Sequence, residues 1–105
     1  LIPPATLTHV NGSPVLRNDP ATNAMVREVA TALFGAEQVG EVKPFMGSED
    51  FAFMLEQHPH GSYFTIGAGD EPDRCMVHNP GYDFNDALLL TGAALWCGLT
   101  ERYLR

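Results

Sequence analysis

Asp19 followed directly by Pro20 is the feature that most limits what this chain can fold into. Aspartate can accept hydrogen bonds from the free amides of a first helical turn, and proline is tolerated where no amide donor is needed. Downstream, Met25, Val26, Val29, Ala30, Leu33 and Phe34 recur at helical spacing, and Gly35 supplies a stop. The spacing predicts an amphipathic helix between Asp19 and Gly35, whose apolar stripe needs a second layer to cover it.

The other segments alternate in type. Ala5 to Val10, "ATLTHV", alternates apolar or β-branched with polar positions and is expected to be a strand broken by "NGSP". "QVGEVK" is a weaker strand candidate interrupted by Gly40. In "PFMGSEDFAFMLEQHP", Ser48 is the expected N-cap, Glu49 and Asp50 sit in the first turn, Phe51, Met54 and Leu55 form one apolar face, and Pro59 closes the helix. Ser62 to Ile66, "SYFTI", is the pattern of a buried strand opening onto the glycine-rich "GAGD". Asn85 or Asp86 is the expected cap of a last helix with Leu89, Leu90, Ala93, Trp96, Leu99, Tyr103 and Leu104 on its apolar side. Strand, helix, weak strand, helix, strand, helix is the order of an α/β fold.

Composition narrows the partners. The 105 residues suffice for one small domain with a modest core, at 45% hydrophobic content. Six basic against 13 acidic residues give a net charge of −7, which repels phosphate backbones and anionic surfaces, so neither nucleic acid nor a membrane is expected as a partner. "ALLLTGAALWCGL" is too short to span a bilayer. Cys75 and Cys97 are not expected to pair, and Cys97 falls in the apolar pattern of the last helix, where a buried thiol acts as a small hydrophobe. The opening "LIPPATL" has neither an initiator Met nor a charged leader, consistent with a cytoplasmic chain and with a piece of something longer.

Residue spacing alone supports few chemical sites. His58 and His60 flank a proline with no further ligand in a known spacing, and are expected on a surface loop; His9 is expected on an exposed strand position. The Glu49 and Asp50 pair is accounted for by helix capping. "GAGD" lacks the lysine and hydroxyl of a phosphate loop, and no G-x-S-x-G elbow occurs. His78, in "CMVHNPGYDFND", is either a metal ligand or a polar loop residue; its place after the carboxyl end of a strand is where α/β folds put their sites.

Three blocks, "MGSEDFAFMLEQ", "GSYFTIGAGD" and "VHNPGYDFNDALLLTGAALWCGLTERYL", together resemble the carboxy-terminal part of the metal-dependent amidohydrolases that include hippurate hydrolase, N-acyl-amino-acid deacylases and auxin-conjugate hydrolases. "VNGSPVLRNDPATNAM" resembles the segment by which such chains leave an inserted lid domain. The resemblance implies the carboxy-terminal part of a three-layer α/β catalytic domain, a central sheet between helices, over residues 15–105. It assigns residues 1–14 to the end of the lid or dimerisation domain, as its last strand. It further implies hydrolysis of an N-acyl or aminoacyl amide to release an amino acid, with divalent metal ions, two of them, as zinc, manganese, cobalt or nickel. His78 matches the family's last metal ligand, and Met46, Gly47 and Ser48 match a loop lining the substrate cleft. The family's H-A-C-G-H-D motif, its Glu-Glu pair with the general base, and a further histidine have no counterpart here. The chain alone is therefore expected to be inactive, with no catalytic residue of its own, and its partners would be the rest of the parent polypeptide, an N-acyl amino acid or peptide substrate, and a second copy in a homo-oligomer. "HPHG" carries an extra residue against the family's usual turn. The rival reading is a non-catalytic binding or interaction module that keeps part of the fold.

Overall fold

The computed structural model describes residues 3–10, 12–69 and 71–105. Three α-helices lie among them: α1 (Pro20–Phe34), α2 (Phe51–Gln57) and α3 (Leu88–Tyr103), with a single 3-10 turn at Ala36–Gln38.

The first helix forms as its sequence signals predict. Asp19 Oδ2 accepts from the Thr22 amide at 2.8 Å and from the Thr22 hydroxyl at 2.7 Å, and these bonds hold the Asp19 carboxyl below its usual range. Gly35, at φ 92°, takes the left-handed conformation open to glycine and donates its N–H to the Thr31 carbonyl. Val26 is the buried residue of α1, and it meets Leu95 and Leu99 of α3 in the central cluster, with Met25, Val29, Ala30, Phe34 and Phe64 packed around them. The two helices approach closely at Gly98, where a Cβ would stand 2.9 Å from Val29 Cγ1.

The buried face of α3 differs from the expected one. Of the anticipated apolar residues only Leu99 is buried, while Leu89 and Leu90 are 71% and 83% exposed and Trp96 is exposed too. The sequence of α3 is apolar almost all round, so periodicity could not choose a face; contact with α1 chooses Leu95 and Leu99. Cys97, expected in the interior, is exposed for the same reason, and both cysteines are free.

None of the expected strands forms among the described residues. The segment from Ser62 to Ile66 instead runs beside the start of α1. Asn18 donates to the Tyr63 carbonyl and accepts from the Tyr63 amide, both at 2.8 Å, so one side-chain amide occupies the backbone groups a neighbouring strand would use. Asp19 donates its amide to Gly61, and Ser62 donates to Asn23 Oδ1. A ladder needs a second backbone alongside, and here a side chain takes that place. Ala5 to Val10 is exposed throughout and forms no strand, so His9 is exposed without being a strand residue. The expected lid strand and its "NGSP" end fall partly on Leu1, Ile2 and Asn11, outside the described residues, as does Asp70 of "GAGD". "QVGEVK" gives the end of the 3-10 turn and then irregular chain, tied to α1 by Arg27, which donates to the Gly40 carbonyl and lies 3.7 Å from Glu41.

Ser48 is not the cap of α2. The helix starts later, and the Glu49 carboxylate accepts from the Phe51 amide at 3.1 Å. Phe51 then stacks on Tyr63 with ring centroids 5.7 Å apart, which joins α2 to the segment beside α1. The radius of gyration, 18.6 Å, exceeds the roughly 13 Å of a closed domain of about 100 residues, as expected when a helix pair leaves much apolar surface outside.

Two substitutions test this core. Leu95→Ala should lower unfolding free energy by about 2–5 kcal/mol, as deletion of a buried leucine does, and urea denaturation followed by circular dichroism reads it; an unchanged midpoint would mean that the α1–α3 contact does not hold the fold. Asp19→Ala should weaken α1 at neutral pH. Because the folded-state pKa of Asp19 lies below its unfolded value, its contribution is present above the ordinary aspartate range and is lost as pH falls through the folded value. Wild type and variant should differ in melting temperature at pH 7 and converge in strong acid.

Candidate functional site

The loop carrying His78 is built from its base upward. At the base, Asn85 donates to the Ala68 carbonyl at 2.9 Å and accepts from the Ala87 amide at 3.1 Å, while its own carbonyl receives the Leu88 amide. Asn85 thus shapes the turn that leads into α3 but, against expectation, neither it nor Asp86 is the cap: α3 starts at Leu88 after Ala87, with no side-chain cap bond. The Asn85 side chain ties the two ends of the loop together.

Midway up, Arg74 bridges the loop. Its Nε pairs with Glu71 Oε2 at 2.6 Å and its Nη1 donates to the Asp83 carbonyl at 3.3 Å. The Arg74 guanidinium holds the Glu71 carboxyl below its usual value, and the Glu71 hydrogen bond raises Arg74 in return. Cys75, half-buried, packs beneath the turn: a Cβ on Gly81 would lie 3.3 Å from its sulfur.

At the tip, Asn79 donates its amide to the Met76 carbonyl, its side chain accepts from the Gly81 amide at 2.8 Å, and its carbonyl accepts from Tyr82. His78 sits within this turn at φ 70°, the single non-glycine residue with positive φ among those described. Histidine enters the left-handed region more readily than most residues, yet the conformation costs energy, and such strain collects at functional positions. Its side chain is exposed and makes no hydrogen bond with another described residue, so either ring nitrogen is open to a ligand, the one offering its lone pair while the other keeps the proton.

The other expected residues lie elsewhere. Met46, Gly47 and Ser48 are exposed in the stretch leading into α2. An open cleft of about 800 Å³ runs between α1, residues 39–42 and residues 63–67, with Phe34, Phe64 and Leu95 in its wall. A second, of about 560 Å³, is walled by Tyr82, Phe84 and Asn85 beside the start of α3. Neither is lined by Met46, Gly47, Ser48 or His78. His58 and His60 are exposed, as a surface loop requires. Among the described residues no group of three or more His, Cys, Asp or Glu side chains could hold a metal ion. The described residues therefore hold no complete site for a divalent metal, and His78 is an exposed imidazole of the kind that could supply one ligand to it.

Arg74 and Asn18 escaped the reading of the sequence. Arg74 lies three residues after Glu71, a spacing too common to single out, and the Asn18 contact joins positions 45 residues apart. Glu49, read as a helix cap, does more: its carboxylate, facing the Tyr63 hydroxyl, pushes that phenol above its ordinary value. The stretch after Met46–Ser48 meets the segment that leads into the His78 loop through the Phe51 and Tyr63 rings.

The chain matches the model of peptidase family M20/M25/M40 over residues 4–102. It is 33% identical over 97 residues to the putative amidohydrolase YhaA of Bacillus subtilis, covering 91% of this chain and 24% of that protein. It is 34% identical over 89 residues to the IAA-amino acid hydrolase ILR1-like 4 of Arabidopsis thaliana, covering 83% of this chain and 20% of that one. With the hippurate hydrolase of Campylobacter jejuni it shares 33% identity over 94 residues, 89% of this chain and 24% of the relative. The chain thus spans a quarter or less of the length of these relatives. No solved structure matches it.

The influence of Glu49 on Tyr63 is open to a direct check. Glu49→Gln removes the charge that raises the Tyr63 phenol, so ultraviolet titration of the tyrosines should show one of them moving down toward pH 10. Superimposable titration curves for wild type and variant would show that the carboxylate does not reach the hydroxyl.

Proposed function

Because the chain belongs to peptidase family M20/M25/M40, we propose that it forms the carboxy-terminal part of a metal-dependent amidohydrolase that cleaves an N-acyl or aminoacyl amide and releases an amino acid. Membership carries an α/β catalytic domain and hydrolase relatives. The observation that supports the finer reading is the His78 loop: a histidine held at positive φ at the tip of a turn, with its imidazole exposed.

In this reading His78 donates one imidazole nitrogen to a divalent metal whose other ligands come from outside residues 1–105. Zinc, manganese, cobalt or nickel in such a site would lower the pKa of a bound water and polarise the scissile carbonyl. The chain's own part is binding and orientation. Met46, Gly47 and Ser48 form an exposed surface for the substrate, followed by the start of α2 and its Phe51–Tyr63 contact. Gly69, at φ 119°, lets the backbone turn where a side chain would be strained, at the entry to the His78 loop. In this reading the general base, like the other metal ligands, comes from outside residues 1–105, so the chain by itself should not hydrolyse an amide.

The outer face of α3 supports a role within a larger body. Leu89, Leu90 and Trp96 are exposed on it, and contiguous apolar surface of this kind favours association.

The test is made on the complete protein. His78→Ala should bind one metal equivalent fewer by elemental analysis and lose amidohydrolase activity on N-acyl amino acids by at least about 100-fold. Full metal content with undiminished turnover in the variant would remove His78 from the site. Absence of hydrolysis in the metal-loaded wild type across N-acyl and aminoacyl substrates would favour a binding module instead.

A further inference from the structure

We propose that Arg74 and Asn85 are positioning residues that set the orientation of the His78 imidazole, by closing its loop at two levels. The inference rests on His78 being a ligand and adds a role for two residues that touch no metal.

The geometry is that of nested clasps. Asn85 joins the Ala68 carbonyl, where the chain enters the loop, to the Ala87 amide, where it leaves toward α3. Arg74 joins Glu71 on the ascending limb to the Asp83 carbonyl on the descending limb. His78 lies between the four attachment points of Arg74 and Asn85 in sequence, and nothing described holds its side chain directly. A residue at φ 70° relaxes toward the ordinary regions unless its surroundings over-determine it. Asn79 shapes the turn itself, but turn bonds span only three residues at most, from Met76 to Tyr82. The limbs are kept at a fixed separation by Arg74 and Asn85, whose bonds cross nine and 17 residues.

Both bonds are charge-assisted or partly buried. The Arg74 side chain is 23% exposed while the Glu71 side chain is 61% exposed, so the loop covers more of the arginine than of its partner, though both of its hydrogen bonds lie at the surface. The Asn85 bond to Ala68 is partly buried. An exposed Arg–Glu pair contributes little to global stability. Its effect is therefore local: it restricts where the tip can go. An imidazole that must meet a metal at a fixed distance and angle loses affinity when its loop samples other positions, and loss of such supporting partners typically costs 10- to 100-fold in metal affinity, on the order measured in other metal sites.

Two conservative substitutions separate the roles. Asn85→Asp keeps the acceptor for the Ala87 amide but loses the donor to Ala68, so the turn into α3 is kept while the loop base opens. Arg74→Lys keeps a charge for Glu71 but, with a single ammonium, cannot also hold the Asp83 carbonyl. In the complete protein, zinc retention is measured against a chromophoric chelator for wild type, Asn85→Asp, Arg74→Lys and His78→Ala, and the visible spectrum of each after cobalt substitution is recorded. The melting temperature of each metal-free protein is measured alongside.

The expected result is that His78→Ala loses one equivalent, while both conservative variants keep full stoichiometry but release that same equivalent about 10- to 100-fold more readily. Their cobalt spectra should shift and their metal-free melting temperatures should match wild type. If His78→Ala loses the equivalent while both conservative variants hold zinc as tightly as wild type with unchanged cobalt spectra, the positioning role is overturned and His78 stands as a ligand. A matching fall in metal-free melting temperature with weakened binding of every equivalent would also overturn it, as a general loss of fold. Full zinc content in His78→Ala overturns both readings together.

Discussion

The contact between α1 and α3 carries the rest of the structure. Glycine at position 98 lets the helices come close enough for Val29 and Leu33 to lie against the α3 backbone, and Val26, Leu95 and Leu99 close the space beneath. A helix pair of this size has few other sources of stability. Phe64 fastens the segment after α2 to the same cluster, where it also faces Trp96 at 5.7 Å. From that segment the chain passes through Gly67 to Gly69 into the His78 loop and returns into α3 through Asn85. The loop thus begins and ends on elements fixed by one small core, and its orientation depends on that core staying closed.

Much of this was legible in the sequence where the cause is local. Asp19, Pro20 and Gly35 mark α1 because capping and termination involve neighbours within a few residues. Pro59 ends α2, and His58 and His60 lie on the surface, for equally local reasons. Strands are less legible, because a strand is a relation between two stretches of backbone, and no such pairing is present among the described residues. "SYFTI" has the residues of a strand, and here the Asn18 side chain meets the Tyr63 backbone where another strand could have been. The α3 face was misjudged because Leu88, Leu89, Leu90, Leu95 and Trp96 leave no polar stripe to set it. The cap position of α2 is Asp50, two residues beyond Ser48, and Glu49 is the side chain that reaches the Phe51 amide.

The candidate site shows a similar division. His78 stood out by its sequence block, while its positive φ and its clasped loop needed coordinates. Arg74 gave no signal because its partners, Glu71 and the Asp83 carbonyl, are met only when the loop folds back. Met46, Gly47 and Ser48 are exposed and line neither cleft, so their proposed part in substrate binding rests on the resemblance of their sequence block. Family membership and the small share of each relative's length that is covered are consistent with a site shared between this chain and further polypeptide.

The central claim is that the His78 imidazole meets a metal. A crystal of the complete protein loaded with zinc, with diffraction recorded on both sides of the zinc absorption edge, tests it without any substitution. The account requires an anomalous peak about 2.0–2.1 Å from a ring nitrogen of His78, the usual zinc–histidine distance. Zinc bound elsewhere, with the His78 ring remaining in solvent, would contradict it.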